Sequence, residues 1–219
     1  MRKLVLTALA AATATGAFAA PAFAQDATFT GPRIGVIAGY DGIRPGSTED
    51  SDIAGDDQTA DGLLYGLDAG YDVDFGSAVI GAEGEISGST GKVTNETVDT
   101  NNLGYGRVKA GRDLYLGVRA GFKATPATLI YAKGGYTNQR LDLIAGADDA
   151  ETGRHFNLDG YRLGAGVEQK VGSNAYAKVE YRYSNYGDAR LEFANGGNTD
   201  NFSVDTDRHQ VVAGVGWRF

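Results

Sequence analysis

The sequence predicts an all-β fold: an eight-stranded antiparallel transmembrane β-barrel of the up-and-down type, preceded by a cleaved signal peptide. Three observations predict it. Eight segments alternate apolar and polar residues with a period of two, the spacing of a strand whose two faces meet different surroundings. The polar faces are rich in glycine as well as charge, and the links between segments alternate between short and long. Glycine stands at 33 of 219 positions, twice its ordinary share of ~7%. Only four prolines accompany it and no G-X-Y period appears, which excludes collagen. Twelve tyrosines, nine phenylalanines and 42% apolar residues exclude a disordered chain.

The first element is an address. Arg2 and Lys3 precede an uncharged, alanine-rich stretch from Leu4 to Ala20. Ala22-Phe23-Ala24 before Gln25 then supplies the small-x-small pattern of a signal-peptidase site. Residues 1–24 are therefore expected to leave, and residues 25–219 to form a single barrel domain. No later apolar run approaches the ~20 residues of a membrane-spanning helix.

The segments follow in order. Ile34, Val36, Ala38 and Tyr40 share one face of the first. Leu63, Tyr65, Leu67, Ala69, Tyr71 and Val73 share one face of the second, and Ala78, Ile80, Ala82, Gly84 and Ile86 one of the third. Leu114, Leu116, Val118, Ala120 and Phe122 mark the fourth; Ile130, Ala132, Gly134 and Tyr136 the fifth; Tyr161, Leu163, Ala165 and Val167 the sixth. Ala175, Ala177, Val179, Tyr181 and Tyr183 mark the seventh, and Val211, Ala213, Val215, Trp217 and Phe219 the eighth. None of these positions is charged.

The opposite faces decide which side meets water. They carry Arg33, Asp41, Asp113 and Lys123 together with Asp68, Asp72, Glu83, Glu85, Arg119, Lys133, Arg162, Glu168, Lys178, Glu180, Arg182, Arg208 and Arg218. These charges nearly cancel. Gly35, Gly66, Gly117, Gly164 and Gly216 lie among them. A solvated face has no need of so many missing side chains, whereas a narrow bore does, because large side chains from eight strands must interdigitate there. Apolar-out and polar-in is the pattern of a transmembrane barrel; a soluble periplasmic β-sandwich is the alternative. The thirteen residues from Asp68 to Arg218 are expected to form a lumenal salt-bridge network centred on Glu83, Glu85, Arg119, Lys133, Arg162, Glu180 and Arg182. An eight-stranded bore is just wide enough for its own side chains, so a plug is favoured over a narrow pore.

Short links fall at 74–77, 124–127 and 171–174, and long ones at about 42–60, 88–104, 138–157 and 187–206. Short periplasmic turns and long outer loops put both termini in the periplasm. Aromatics cluster at the segment ends: Tyr40, Tyr136, Tyr161 and Tyr183 above, Phe75, Phe122, Trp217 and Phe219 below, as interfacial girdles do. The long loops hold fifteen acids against five bases. Net acidity excludes nucleic acid as a partner class.

At these residues a family resemblance is legible. Phe29-Thr30-Gly31-Pro32-Arg33-Ile34-Gly35-Val36 with Ala38-Gly39-Tyr40 resembles the opening strand of small alphaproteobacterial outer-membrane surface antigens, which belong with the opacity-protein and OmpA-like barrels. Tyr71 with Ile80-Gly81-Ala82-Glu83-Gly84-Glu85-Ile86-Ser87-Gly88, then Leu129 to Tyr136, Gly164 to Glu168 and Val179 to Gly187 continue the likeness, which covers about 27–219. The closing Val215-Gly216-Trp217-Arg218-Phe219 resembles the signal read by the barrel-assembly machinery, carried by Val215, Trp217 and Phe219. The resemblance implies a cofactor-free surface antigen supporting envelope integrity, with adhesion or haem binding in some relatives. It covers the barrel, not the peptidoglycan-binding domain of full-length OmpA proteins. Outer-membrane lipids and lipopolysaccharide are the expected partners.

Other chemistry finds little support. Without cysteine there is no thiol nucleophile or thiolate metal site. Lipid A deacylase-type barrels resemble His-x-Ser on one strand. His155, expected in a loop, and His209 both lack a serine two positions on, and Asp207 beside His209 makes no triad without a nucleophile. Asp50, Asp52, Gly55, Asp56 and Asp61 match part of a calcium-loop template, but Ala54 occupies one ligand position, so a solvated acidic loop is the default. Arg112 is the one base on the lipid-facing parity of its segment, placed for a lipopolysaccharide phosphate or for snorkelling to headgroup level.

Overall fold

A computed structural model describes residues 29–45, 60–94, 106–145, 151–192 and 202–219. The signal segment with Ala22, Ala24 and Gln25, and the Asp50–Asp56 run, lie outside them. The described chain is all strand: β1 (Gly31–Pro45), β2 (Ala60–Asp74), β3 (Ala78–Ser89), β4 (Lys92–Thr94), β5 (Gly106–Thr125), β6 (Thr128–Ala145), β7 (Glu151–Val171), β8 (Ala175–Glu192) and β9 (Phe202–Arg218). Each neighbour is antiparallel. β3 and β4 lie end to end along β5 and count as one stave, and β1 pairs with β9, so eight staves close into a barrel without an edge.

Period-two sequence becomes two-sided wall. Val36, Leu67, Ile80, Leu116, Val118, Leu163, Val179 and Val215 face outward and stay exposed, while the charged positions between them are buried. The fold is thus inverted relative to a soluble sandwich, which removes that alternative. The glycines serve the interior as expected. A Cβ at Gly216 would stand 2.5 Å from the Tyr176 hydroxyl, and one at Gly35 2.8 Å from the same oxygen. The Tyr176 ring occupies the space those side chains would take.

Tight turns join the staves at one end. Gly76 (φ 94°) and Gly172 (φ 72°) adopt the left-handed conformation that favours glycine. Asp74 Oδ1 accepts from Gly76 N at 2.9 Å, and Asn174 Nδ2 donates to the Arg218 carbonyl at 3.0 Å.

At the other end the sequence-based boundaries need correction. The segment 138–157, expected as a loop, is mostly sheet: β6 runs on to Ala145 and β7 begins at Glu151, with Asn138 paired to Asp159 and Leu141 to Phe156. His155 accordingly lies in β7. β5 likewise begins at Gly106, β8 runs to Glu192 and β9 starts at Phe202. Strict apolar alternation is required only where one face meets hydrocarbon; above that band the ladder continues on backbone hydrogen bonds without the signature. A bulge between Ala110 and Asp113 marks the crossover on β5.

Candidate functional site

The interior is built from charges that alternate with glycines and tyrosines on the inward parity of every stave. All thirteen residues expected there are buried. They join through three tiers. Near the turns, Arg119 binds Asp72 through two parallel bonds (Nε to Oδ1 2.8 Å, Nη2 to Oδ2 2.6 Å) and reaches Glu168 at 2.8 Å. Arg218 bridges the same two acids at 2.7 and 2.8 Å. In the middle, Lys133 lies between Glu83 (2.6 Å) and Glu180 (2.9 Å), and Lys178 between Asp68 (3.1 Å) and Glu180 (3.0 Å). Arg182 joins Glu180 (3.0 Å) to Glu85 (2.7 Å). Toward the long hairpins, Arg162 binds Asp113 at 2.5 Å, and Arg208 binds Asp113 and, through two bonds of 2.7 and 2.8 Å, Asp41.

Three members stand outside the thirteen although they share the inward parity. Arg33 links Asp68 (2.8 Å), Glu83 and Asp72 (3.2 Å), tying the lower tier to the middle. Asp41 and Asp113 complete the upper tier. With them the network holds eight acids and eight bases, every one buried. The missing signal was available: charge balance among buried groups calls for partners to Arg162 and Arg208, and Asp41 and Asp113 are the inward acids at that height.

Tyrosines fill the gaps. Tyr115 lies under Lys133 and Arg162, with the cations 4.8 and 5.3 Å from its ring centroid, and Tyr131 lies 4.9 Å from Arg119. The turn end is closed by a residue without an expected role. Phe29 is fully buried against Val79, Leu129 and Tyr131, with Lys170 and Arg218 5.0 and 5.4 Å from its ring. Its backbone N–H donates to Asp74 Oδ2 at 3.0 Å, and Lys123 meets the same oxygen at 2.8 Å.

The outer faces carry the remaining candidates. His209 shares a 2.7 Å hydrogen bond with the Tyr181 hydroxyl, while Asp207 accepts from Tyr183 (2.6 Å) and Asn185 (3.1 Å). Each of the pair is thus held by other groups. Asp61 stands near the start of β2 and accepts from Tyr40 at 2.5 Å. No grouping of three His, Asp or Glu side chains suited to a metal ion occurs among the described residues. Arg112 is exposed beside the β5 bulge. Val215 and Trp217 lie on the outward face of β9, and Phe219, just past its end, is exposed and donates its N–H to the Pro32 carbonyl at 2.9 Å.

Known proteins resemble this chain. The chain is 29% identical over 253 residues to the 31 kDa outer-membrane immunogenic protein of Brucella melitensis, covering 100% of both chains. It is 28% identical over 219 residues to the 25 kDa outer-membrane immunogenic protein of the same organism, covering 92% of each. The crystal structure of Neisserial surface protein A superposes with a TM-score of 0.54 over 87% of this chain and 98% of that one, at 14% identity, a likeness of fold. The model of the outer membrane protein beta-barrel domain matches residues 10–219. A closed barrel with an apolar exterior, matched over nearly its whole length, places this chain in the outer membrane protein beta-barrel domain family.

Proposed function

We propose that this outer-membrane barrel is a non-enzymatic surface protein: a rigid scaffold, plugged by its own ion pairs, that presents acidic hairpins to the exterior and supports the envelope. The observation that carries the reading is the sixteen-charge network spanning the bore. Paired buried charges of this kind are costly to separate, so the bore has no low-energy route for a solute. Residues 1–24 act as the export signal, the turn end with both termini faces the periplasm, and Val215, Trp217 and Phe219 form the assembly signal. The relatives' description as immunogenic outer-membrane proteins agrees with hairpins exposed at the cell surface. Neither histidine has a serine two positions on, which argues against lipid A chemistry of the deacylase type.

Planar-bilayer recording of the refolded protein tests the plug. No stable ohmic conductance is expected; large, steady openings would overturn it in favour of a narrow porin. Mass spectrometry of lipid A from a deletion strain should show no change, and an altered acyl or phosphate pattern would overturn the non-enzymatic reading.

A further inference from the structure

Two neighbouring tyrosines on the outer face of β8 lean diagonally on β9. Tyr183 pairs with His209 along the backbone, but its hydroxyl donates to Asp207 at 2.6 Å. Tyr181 pairs with Val211, and its hydroxyl meets Nδ1 of His209 at 2.7 Å. The rings form a file. Centroids lie 6.4 Å apart for Tyr161 and Tyr183, 5.2 Å for Tyr183 and His209, and 6.2 Å for His209 and Tyr181. A tyrosine on the membrane face needs no base beside it. Tyr65 and Tyr71 are as exposed as Tyr181 and have no hydrogen bond among the described residues.

A phenol with a hydrogen-bonded base loses one electron more easily. Removing the electron alone leaves a cation in weakly polar surroundings, which is unfavourable. Removing the proton in the same step leaves a neutral phenoxyl radical, and this requires an acceptor already within hydrogen-bond reach. Imidazole is a stronger base than the carboxylates that hold Tyr40, Tyr136 and Tyr183. Competing sinks are few. Cysteine is missing and Met1 is the sole methionine, so residues 2–219 hold no sulfur side chain to take up an oxidant. The one tryptophan, Trp217, lies at the turn end of β9.

We propose that Tyr181 and His209 form a one-electron oxidation site on the outer face that takes up nitrogen dioxide, with Tyr181 as the residue nitrated. Val179 and Val211 flank Tyr181 on the same exposed face, so the oxidant that reaches it is small, neutral and soluble in lipid. In the first step the Tyr181 phenol gives an electron to nitrogen dioxide, which becomes nitrite. Its proton passes to Nδ1 of His209, neutral beforehand with its hydrogen on Nε2, and then leaves the imidazolium for water. In the second step another nitrogen dioxide forms a C–N bond at the ring carbon next to the phenoxyl oxygen. The hydrogen of that carbon moves to the oxygen, which leaves 3-nitrotyrosine. Two radicals are thus consumed for one nitro group, one nitrite and one proton. This activity goes beyond a scaffold role and holds whichever way the hairpins point.

The test exposes the folded full barrel in phospholipid vesicles to limiting nitrogen dioxide and counts nitro groups on each tyrosine by peptide mass spectrometry. Tyr181 should be nitrated roughly tenfold more than Tyr71, and His209→Gln, whose amide cannot take the proton, should remove that advantage. A flash-generated ruthenium(III) complex isolates the first step. The phenoxyl absorption should rise quickly in the wild type, more slowly in heavy water, and roughly tenfold more slowly in His209→Gln. Tyr181→Phe, which leaves His209 in place, should lose the fast phase. Gel mobility before and after boiling confirms that each variant is folded. Equal nitration of Tyr181 and Tyr71 would overturn the site. So would a fast phase that survives either substitution.

Discussion

Arg119 and Asp72 meet edge to edge inside the barrel, guanidinium against carboxylate, although their strands β5 and β2 are separated by β3. The pair runs along the inner wall over Gly81 of β3, which stands opposite Asp72 on one side and Arg119 on the other. Ion pairs of this kind brace staves that share no backbone ladder, and they explain why a barrel with little apolar core can keep one shape.

Removing one member should expose the asymmetry of the network. Asp72 also serves Arg33 and Arg218, so Asp72→Asn weakens three guanidinium contacts at once. A loss of about 3–5 kcal/mol is expected. Arg119→Gln should cost less, because Arg218 still reaches both Asp72 and Glu168. Urea unfolding in phospholipid vesicles measures both; a larger loss for Arg119→Gln would contradict the stated connectivity.

The outward band makes a second prediction. Val118 is exposed on the outer face of β5, within the run from Leu114 to Phe122. Val118→Lys should destabilise by roughly 2–4 kcal/mol in vesicles, as a cation near the bilayer midplane does, and Val118→Leu hardly at all. A lysine tolerated within about 0.5 kcal/mol would mean that the site meets water.

Phe29 closes the turn end from below. Phe29→Ala removes a fully buried ring from the contact with Val79, Leu129 and Tyr131 and should cost about 3–5 kcal/mol. A change below about 1 kcal/mol would show that the residue is not seated in the barrel.

Phe219 is the converse case. Its side chain is 73% exposed, so Phe219→Ala should change refolded stability by no more than about 0.5 kcal/mol. In cells the same change should slow accumulation of the folded form, as expected of a signal read before folding. Normal assembly kinetics in a pulse-chase experiment would contradict that role.

Much of this was legible in the chain because two physical constraints act on alternate residues. Leu116, Val118 and Ala120 must suit hydrocarbon while Tyr115, Gly117 and Arg119 must fit a crowded bore, so strand, face and charge class can be read together. The partners of each charge were not legible, since Arg119 and Asp72 meet over Gly81 of the strand between theirs and alternation carries no information about the register between strands. The long hairpins were hidden for a related reason. Above the band the outward positions of β6 and β7 are no longer apolar, and residues such as Asn138, Arg140 and Asp142 read as loop although they pair in register. The burial of Phe29 was not legible because the residue precedes the first alternating segment and binds by its backbone to Asp74.

The central claim is that hydrocarbon touches the outward face of these staves. Trp217 is the only tryptophan in the chain and lies on that face of β9, beside the turn end, 58% exposed. Its fluorescence in vesicles of brominated phospholipids is the most direct measurement. Strong quenching is expected, greater for bromines near the headgroup than for bromines at the bilayer centre. Emission unaffected by bromine at any depth, with quenching by aqueous acrylamide alone, would contradict the claim.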